Sequence, residues 1–106
     1  MSYKKLVRDK IPEIIKNNGE EAITRILSLE EYKIELEKKL KEEMNEVLES
    51  AGNGRIEELA DLLEVMINLA NLENKTLEDI IKISDDKRNR RGGFSKRIYL
   101  EGIEEK

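Results

Sequence analysis

Four carboxylates in the stretch 36–72 constrain the fold most, because they occur among apolar residues spaced for two packed helices. The apolar residues of the first helix recur at the spacing of one buried helix face: Leu36, Leu40, Met44, Val47 and Leu48. At about 100° of rotation per residue, Glu43 lies inside that face and Glu46 lies at its edge. The sequence therefore predicts a helix whose apolar face carries acid.

The next predicted helix, from about residue 54 to about residue 74, is apolar over more than half of its circumference, which is typical of a central helix. Glu58 again falls in apolar surroundings, and Asp61, three residues later, is its neighbour on the helix surface. The residues between the helices, Ser50-Ala51-Gly52-Asn53-Gly54, favour a turn that makes the two helices antiparallel. Counted from Gly52, Glu46 and Glu58 are six residues away, and Glu43 and Asp61 are nine away, so a hairpin should bring all four together.

Four ionised carboxylates in a half-buried place repel one another and lose hydration, at a cost of several kcal/mol. A divalent cation would offset that cost, and a set of oxygen ligands without His or Cys favours Mg²⁺, with Mn²⁺ as the alternative. Glu43, in the middle of the apolar face, should have a raised pKa when no metal is bound. The competing interpretation is that these glutamates simply solvate helix faces, as most do in a chain with 42% charged residues.

Composition limits both the size of the core and the available chemistry. The 106 residues form one domain, 1–106, and 38% hydrophobic residues with one Phe and no Trp give a thin aliphatic core. The chain has no Cys and no His, which excludes disulfides, thiol nucleophiles and a Ser/His triad. No long apolar run and no signal-peptide segment occur, so we expect a soluble, cytoplasmic protein without membrane contact. The net charge of −4 argues against general nucleic-acid binding.

Start and stop signals place the remaining elements. Asp9 is the predicted N-cap of a short first helix with Pro12 in its first turn, and Asn18 and Gly19 end it. Capping boxes formed by Ser28 with Glu31 and by Thr76 with Asp79 start two further helices: one runs from about Leu29 to about Ser50, and the other ends near Gly92 and Gly93.

Two β-branched segments, "EAITRIL" at 21–27 and "FSKRIYL" at 94–100, could pair as a two-stranded ribbon. The predicted fold is all-α: an antiparallel bundle of about four helices, with the short ribbon as an optional addition. Because the core is thin, we expect oligomerisation to complete the bundle.

Two basic groups leave alternatives open. Lys4, Lys5, Arg8 and Lys10 precede the first helix, and they either are solvated or reach a phosphate at the acidic site. Lys87, Arg88, Arg90 and Arg91 either complement the dipole at a helix C-terminus or bind phosphate. A third interpretation makes 87–97 a nucleic-acid contact, but the chain has few aromatic residues for stacking.

The paired motifs Glu43-Met-Asn-Glu46 and Glu58-Leu-Ala-Asp61 resemble those of the MazG superfamily of all-α nucleotide pyrophosphohydrolases. The flanking stretches "KLVRDKIPEIIKNNG" and "KRNRRGGFSKRIYL" resemble its phosphoribosyl-ATP pyrophosphohydrolase-like branch, so the resemblance covers nearly the whole chain. The eleven residues between Glu46 and Glu58 make a shorter connection than many members of the superfamily have.

The resemblance implies an all-α homodimer or homotetramer that hydrolyses a nucleoside triphosphate, or a phosphoribosyl-ATP-like nucleotide, between the α and β phosphates with Mg²⁺. Nucleotide-pool house-cleaning is a candidate role. Glu43, Glu46, Glu58 and Asp61 match the metal-binding and catalytic positions, while the matching phosphate contacts are Lys87, Arg88, Arg91, Lys96 and Arg97. The alternative from another class is a non-catalytic helical dimerisation or interaction module.

Overall fold

The computed structural model describes residues 4–105, so Ser2 and Tyr3 of the predicted basic entry to the first helix lie outside the described residues. Four helices follow one another along the chain: α1 Ile11–Asn17, α2 Leu29–Glu49, α3 Gly52–Leu72 and α4 Leu77–Arg91. The all-α prediction is confirmed, with four helices near the predicted positions. None of these helices is long and apolar enough to span a membrane.

The helix ends agree with the sequence signals at α2 and α4 and differ at α1. Ser28 and Thr76 each accept a hydrogen bond from the backbone N–H three residues later, and the side chains of Glu31 and Asp79 complete the two capping boxes. The predicted N-cap Asp9 is wrong, because α1 begins after Lys10, whose side chain makes no capping hydrogen bond. Proline at the start of α1 needs no N–H partner, so this short helix begins without a side-chain cap.

An antiparallel hairpin of α2 and α3 is the main packed unit of the chain. The connection is only Ser50 and Ala51, since α3 already begins at Gly52, where φ is +57°. Arg55 closes the connection by donating from Nε to the carbonyl oxygens of Val47 (3.2 Å) and Ser50 (3.0 Å). The bond to Ser50 satisfies a carbonyl group that the end of α2 leaves without a helical partner. The Val47 carbonyl also accepts from the N–H and the Oγ of Ser50.

The core of the described chain is very small. Leu36 of α2, 3% exposed, and Val65 of α3, 7% exposed, are its only buried apolar residues. Compared with the contact between α2 and α3, the contact between α3 and α4 is small. The molecule measures 69 × 33 × 22 Å along its principal axes. Its radius of gyration is 18.8 Å, against about 13 Å for a compact domain of this length.

The predicted ribbon is absent: residues 21–27 and 94–100 form no strand. Ile23, Ile26, Phe94 and Tyr99 are almost completely exposed, so no other element covers an apolar face of either segment. An isolated pair of strands is marginal in water without such cover, which explains why β-branched composition alone was misleading.

Candidate metal centre

Three of the four predicted carboxylates meet on the hairpin. Glu43 extends from α2, and Glu58 and Asp61 extend from α3; each offers one carboxylate oxygen, and the three oxygens lie within 4.8 Å of one another. All three residues are half-buried. We call this group the acidic trio, and within residues 4–105 no other set of Asp and Glu side chains converges in this way.

The position of the connection explains which carboxylates meet. Glu43 precedes Ala51 by eight residues and Glu58 follows Ser50 by eight, so the two lie level across the hairpin. Asp61 follows one turn further along the same face of α3. Glu46 lies one turn nearer to the connection, is exposed and does not belong to the trio. A turn centred on Gly52, which the sequence predicts, would make Glu46 level with Glu58. The role of Glu46 stays a prediction.

The pKa of Glu43 reflects its surroundings. Burial raises the pKa of Glu43, and the charges of Asp61 and Glu58 raise it further, while Lys39 acts in the opposite direction. The prediction that the pKa of this carboxylate is raised is thereby confirmed. The trio concentrates negative charge in a place where hydration is reduced, which is unfavourable without a cation.

The spacing of the oxygens suits a small hard cation. Mg²⁺ binds oxygens at about 2.1 Å, so its ligand oxygens are about 3 to 4 Å apart. The oxygens of the trio lie at most 4.8 Å apart, so they need to approach one another by at most about 2 Å, which side-chain rotation can supply. Three carboxylates leave coordination positions for water or phosphate oxygens, as is usual for Mg²⁺ at phosphate-handling sites.

A groove of about 560 Å³ adjoins the trio, and Glu43 and Asp61 are part of its wall. Its volume is within the range of small-molecule sites. Besides Glu43 and Asp61, the groove is lined by apolar residues, three cations, two further carboxylates and two neutral polar residues. They are Leu6, Val7, Ile11, Leu36 and Val65; Lys5, Arg8 and Lys39; Asp9 and Glu64; and Tyr32 and Asn68. The two buried core residues therefore also line the groove.

The cations at this groove come from the N-terminal segment and α2. Arg8 donates from Nη2 to Asp61 Oδ1 at 2.8 Å, and Lys5 and Lys39 line the same groove. Lys4 and Lys10 do not line it, which separates the four basic residues that the sequence left together.

The five predicted phosphate contacts near the C-terminus are absent from the groove lining in this single chain, and their role stays a prediction: Lys87, Arg88, Arg91, Lys96 and Arg97.

A polar network, for which the sequence gives no signal, also lines the groove. Tyr32 donates to Asn68 Oδ1 at 3.3 Å, and Asn68 in turn donates to Glu64 Oε2 at 2.7 Å. Burial, together with the charges of Asp9 and Glu64, raises the pKa of Tyr32, which keeps its hydroxyl protonated as a donor. Helical periodicity does not indicate that Glu64, Asn68 and Lys39 line a groove, because it does not show which edge of a helix borders one.

The fold and the geometry define an all-α protein with a candidate acidic metal centre beside a groove that three cations and four carboxylates line. Comparisons of the chain with protein-family models, with curated proteins and with solved structures gave no match. The resemblance to the MazG superfamily therefore rests on the motifs themselves.

Proposed function

We propose that the protein is a Mg²⁺-dependent nucleotide pyrophosphohydrolase of the MazG type, which cleaves a nucleoside triphosphate or a related nucleotide between the α and β phosphates. The observation that carries this proposal is the convergence of Glu43, Glu58 and Asp61 beside a groove with three cations. Carboxylates that hold a hard cation, next to lysine and arginine, are the groups that phosphoryl-transfer chemistry requires. A nucleotide hydrolase of this kind would act in the cytoplasm.

Each group of the site has a task in this reaction. The chemistry that bound Mg²⁺ supplies is a lowered water pKa and neutralisation of phosphate charge. Glu43, Glu58 and Asp61 hold the cation, and Lys5, Arg8 and Lys39 contact the phosphates that enter the groove. A carboxylate of the trio would accept the proton of the attacking water, and Glu43 is the one whose pKa burial raises in the metal-free protein. The chain contains no Cys or His that could form a covalent intermediate, so direct attack by water on the α-phosphorus fits the side chains that are present.

The test is pyrophosphate release from a panel of nucleoside triphosphates with Mg²⁺, together with identification of the monophosphate product. We expect Glu58→Gln and Asp61→Asn to lower the rate by at least about 10- to 100-fold, because each removes a charge that holds the cation. Glu57→Gln is the matched control, since Glu57 is the exposed neighbour of Glu58 on α3. Unchanged rates in both site variants, with folding confirmed by circular dichroism, would refute the proposal.

Self-association is part of the same proposal. Exposed apolar side chains occur on α2, α3, α4 and the segment after Gly93, and the molecule is far from compact. Positions 87–97 carry six Lys and Arg and no acid, whereas positions 42–64 carry eight Asp and Glu and one Arg. A second copy can match these opposite charges and cover the apolar faces, which favours a homodimer or homotetramer.

A non-catalytic helical interaction module is the second candidate, favoured by the same exposed apolar faces. The two candidates differ in their response to Mg²⁺. A cation that binds only the folded state raises the melting temperature as its concentration rises above Kd. No change in melting temperature at millimolar Mg²⁺, with or without nucleotide, would favour the interaction module.

A further inference from the structure

The contact between Arg8 and Asp61 differs from the other ion pairs of the described chain. It joins residues 53 apart, whereas the remaining pairs within residues 4–105 join residues no more than six apart. Arg8 belongs to a segment without helical structure, and its bond attaches this segment to α3. Its partner is a member of the acidic trio. The guanidinium therefore occupies a carboxylate that would be needed for a cation.

Arg8 is placed where it can leave that carboxylate. Its side chain is 59% exposed and that of Asp61 is 45% exposed, so the pair is held weakly compared with a buried one. Both residues line the groove of about 560 Å³, so an anion in the groove would lie within reach of the same guanidinium. Arginine can bind two oxygens of a phosphate at once, so Arg8 suits a phosphate as well as the carboxylate of Asp61.

Two cations cannot both neutralise Asp61 without repelling each other. A divalent ion on the trio would weaken the attraction between Asp61 and Arg8, because it takes up the charge of the carboxylate and adds positive charge nearby. Lys5 and Lys39 line the groove but make no ion pair with the trio in the described structure, so Arg8 is the side chain that bound metal would displace.

We propose that Arg8 is an exchangeable counter-ion: it binds Asp61 in the metal-free protein, and once a divalent cation occupies the trio it binds a phosphate group of the ligand in the groove. This inference rests on the proposed function, since the ligand is taken to be a nucleotide or another polyphosphate. The exchange couples the two ligands, because bound metal weakens the hold of Asp61 on the arginine and so favours its contact with phosphate.

The exchange predicts opposite effects on two ligands. Removal of Arg8 eliminates a competitor for Asp61, so the affinity for metal alone should rise by roughly two- to fivefold. The same change removes a phosphate contact, so polyphosphate binding in the presence of metal should weaken by about 10- to 100-fold. An arginine with a purely structural role would not produce opposite shifts.

The experiment measures binding to the full chain in two stages. Mn²⁺ alone is titrated first, followed by calorimetry with inorganic tripolyphosphate in excess Mg²⁺, because tripolyphosphate tests the phosphate contact independently of base and sugar. The variants are Arg8→Gln, Arg8→Lys and the control Arg25→Gln, whose arginine pairs with Glu31 away from the trio. We expect Arg8→Gln to bind Mn²⁺ more tightly and tripolyphosphate more weakly than the wild type, with both affinities unchanged in the control.

The two stages separate this inference from the proposed function. Absence of Mn²⁺ binding by the wild-type protein would overturn both the metal site and the exchange. Equal Mn²⁺ affinity in Arg8→Gln and the wild type would overturn the exchange alone, and unchanged tripolyphosphate binding would overturn the phosphate role. If Arg8→Gln fails to fold, Arg8→Lys decides: it keeps the charge, so weaker tripolyphosphate binding supports the two-oxygen contact and wild-type binding refutes it.

Discussion

Glu43 lies half-buried beside Glu58 and Asp61, and burial followed by these charges raises its pKa. A raised pKa in the folded state means that the ionised carboxylate costs stability at neutral pH. As the pH falls through the raised pKa towards about 4.5, the folded protein takes up a proton more readily than the unfolded chain does. The contribution of Glu43 to the free energy of unfolding should therefore increase on mild acidification of the metal-free protein.

We expect Glu43→Gln to stabilise the metal-free protein by about 0.5–1 kcal/mol, since it removes one of three repelling charges. The melting temperature should rise by about 2–8 °C, and the further rise caused by Mg²⁺ should disappear. Thermal melts in EDTA and in Mg²⁺ measure both effects, with Glu37→Gln, an exposed glutamate of α2, as the control. A lower melting temperature in EDTA would show that the carboxylate is not under electrostatic stress.

The sequence predicted that Glu43, Glu58 and Asp61 lie close together, and the structure confirms this, because helical periodicity and hairpin symmetry contain that information. Their role in metal binding stays a prediction. The sequence did not separate Glu46 from these three, since that distinction depends on whether the turn is centred on Gly52 or between Ser50 and Ala51. The bond between Arg8 and Asp61 was out of reach, because no local pattern states which acid a basic residue 53 positions away will meet.

At the scale of the element, the start of α2 depends on Glu31. Its hydrogen bonds with Arg25 and with the backbone N–H of Ser28 lower the pKa of Glu31 to about 2. A lowered folded-state pKa contributes stability that is present above about pH 4.5 and is lost as the pH falls towards 2.

Glu31→Gln should therefore destabilise the protein at pH 6, and the difference from the wild type should vanish near pH 2. Urea unfolding at a series of pH values measures this difference, and Glu30→Gln, an exposed neighbour in the same helical turn, serves as the control. A difference that stays constant between pH 6 and pH 2 would contradict the assigned pKa. This window lies below the one in which Glu43 acts, so the two contributions can be separated.

The hairpin connection provides a second element-scale prediction. Arg55 donates to two carbonyl oxygens at the end of α2, and this fixes the level at which Glu43 faces Glu58. Arg55→Ala should lower the free energy of unfolding by about 1 kcal/mol and weaken Mg²⁺ binding. Chemical denaturation and metal titration test the two effects. Arg90→Ala, on α4, is the control, and equal results for both variants would show that the connection does not depend on Arg55.

The boundaries of the helices were predictable where they depend on residues close together in the sequence. The capping boxes of α2 and α4 involve residues three apart, and both formed as predicted. The prediction of a ribbon is wrong because strand pairing depends on an element that packs over the strands. No element of the described chain packs over residues 21–27 or 94–100. The end of α2 and the start of α3 shifted by one and two residues, since glycines 52 and 54 can be helical as well as turn-forming.

At the scale of the whole molecule, the apolar residues after α4 provide a test of self-association. Ile98, Tyr99 and Leu100 are mostly exposed, so three consecutive apolar side chains meet solvent in the described chain. We expect the wild type to sediment as a dimer or tetramer, and we expect Ile98→Asp combined with Leu100→Asp to shift it towards monomer, because a charge buried in an interface is unfavourable.

Analytical ultracentrifugation over a range of protein concentrations makes this measurement, with Glu101→Gln as the control in the same segment. The melting temperature of the wild type should rise with protein concentration, and that of the double variant should be independent of it. A wild-type protein that sediments as a monomer at micromolar concentration would contradict the proposed self-association.

Leu36 and Val65 are the buried centre of the described chain and also line the groove. A substitution that enlarged or rigidified this centre would change the shape of the ligand site, because the same side chains serve both. Ligand preference and the stability of the fold are thus coupled in this chain. Evolutionary adaptation of one will alter the other.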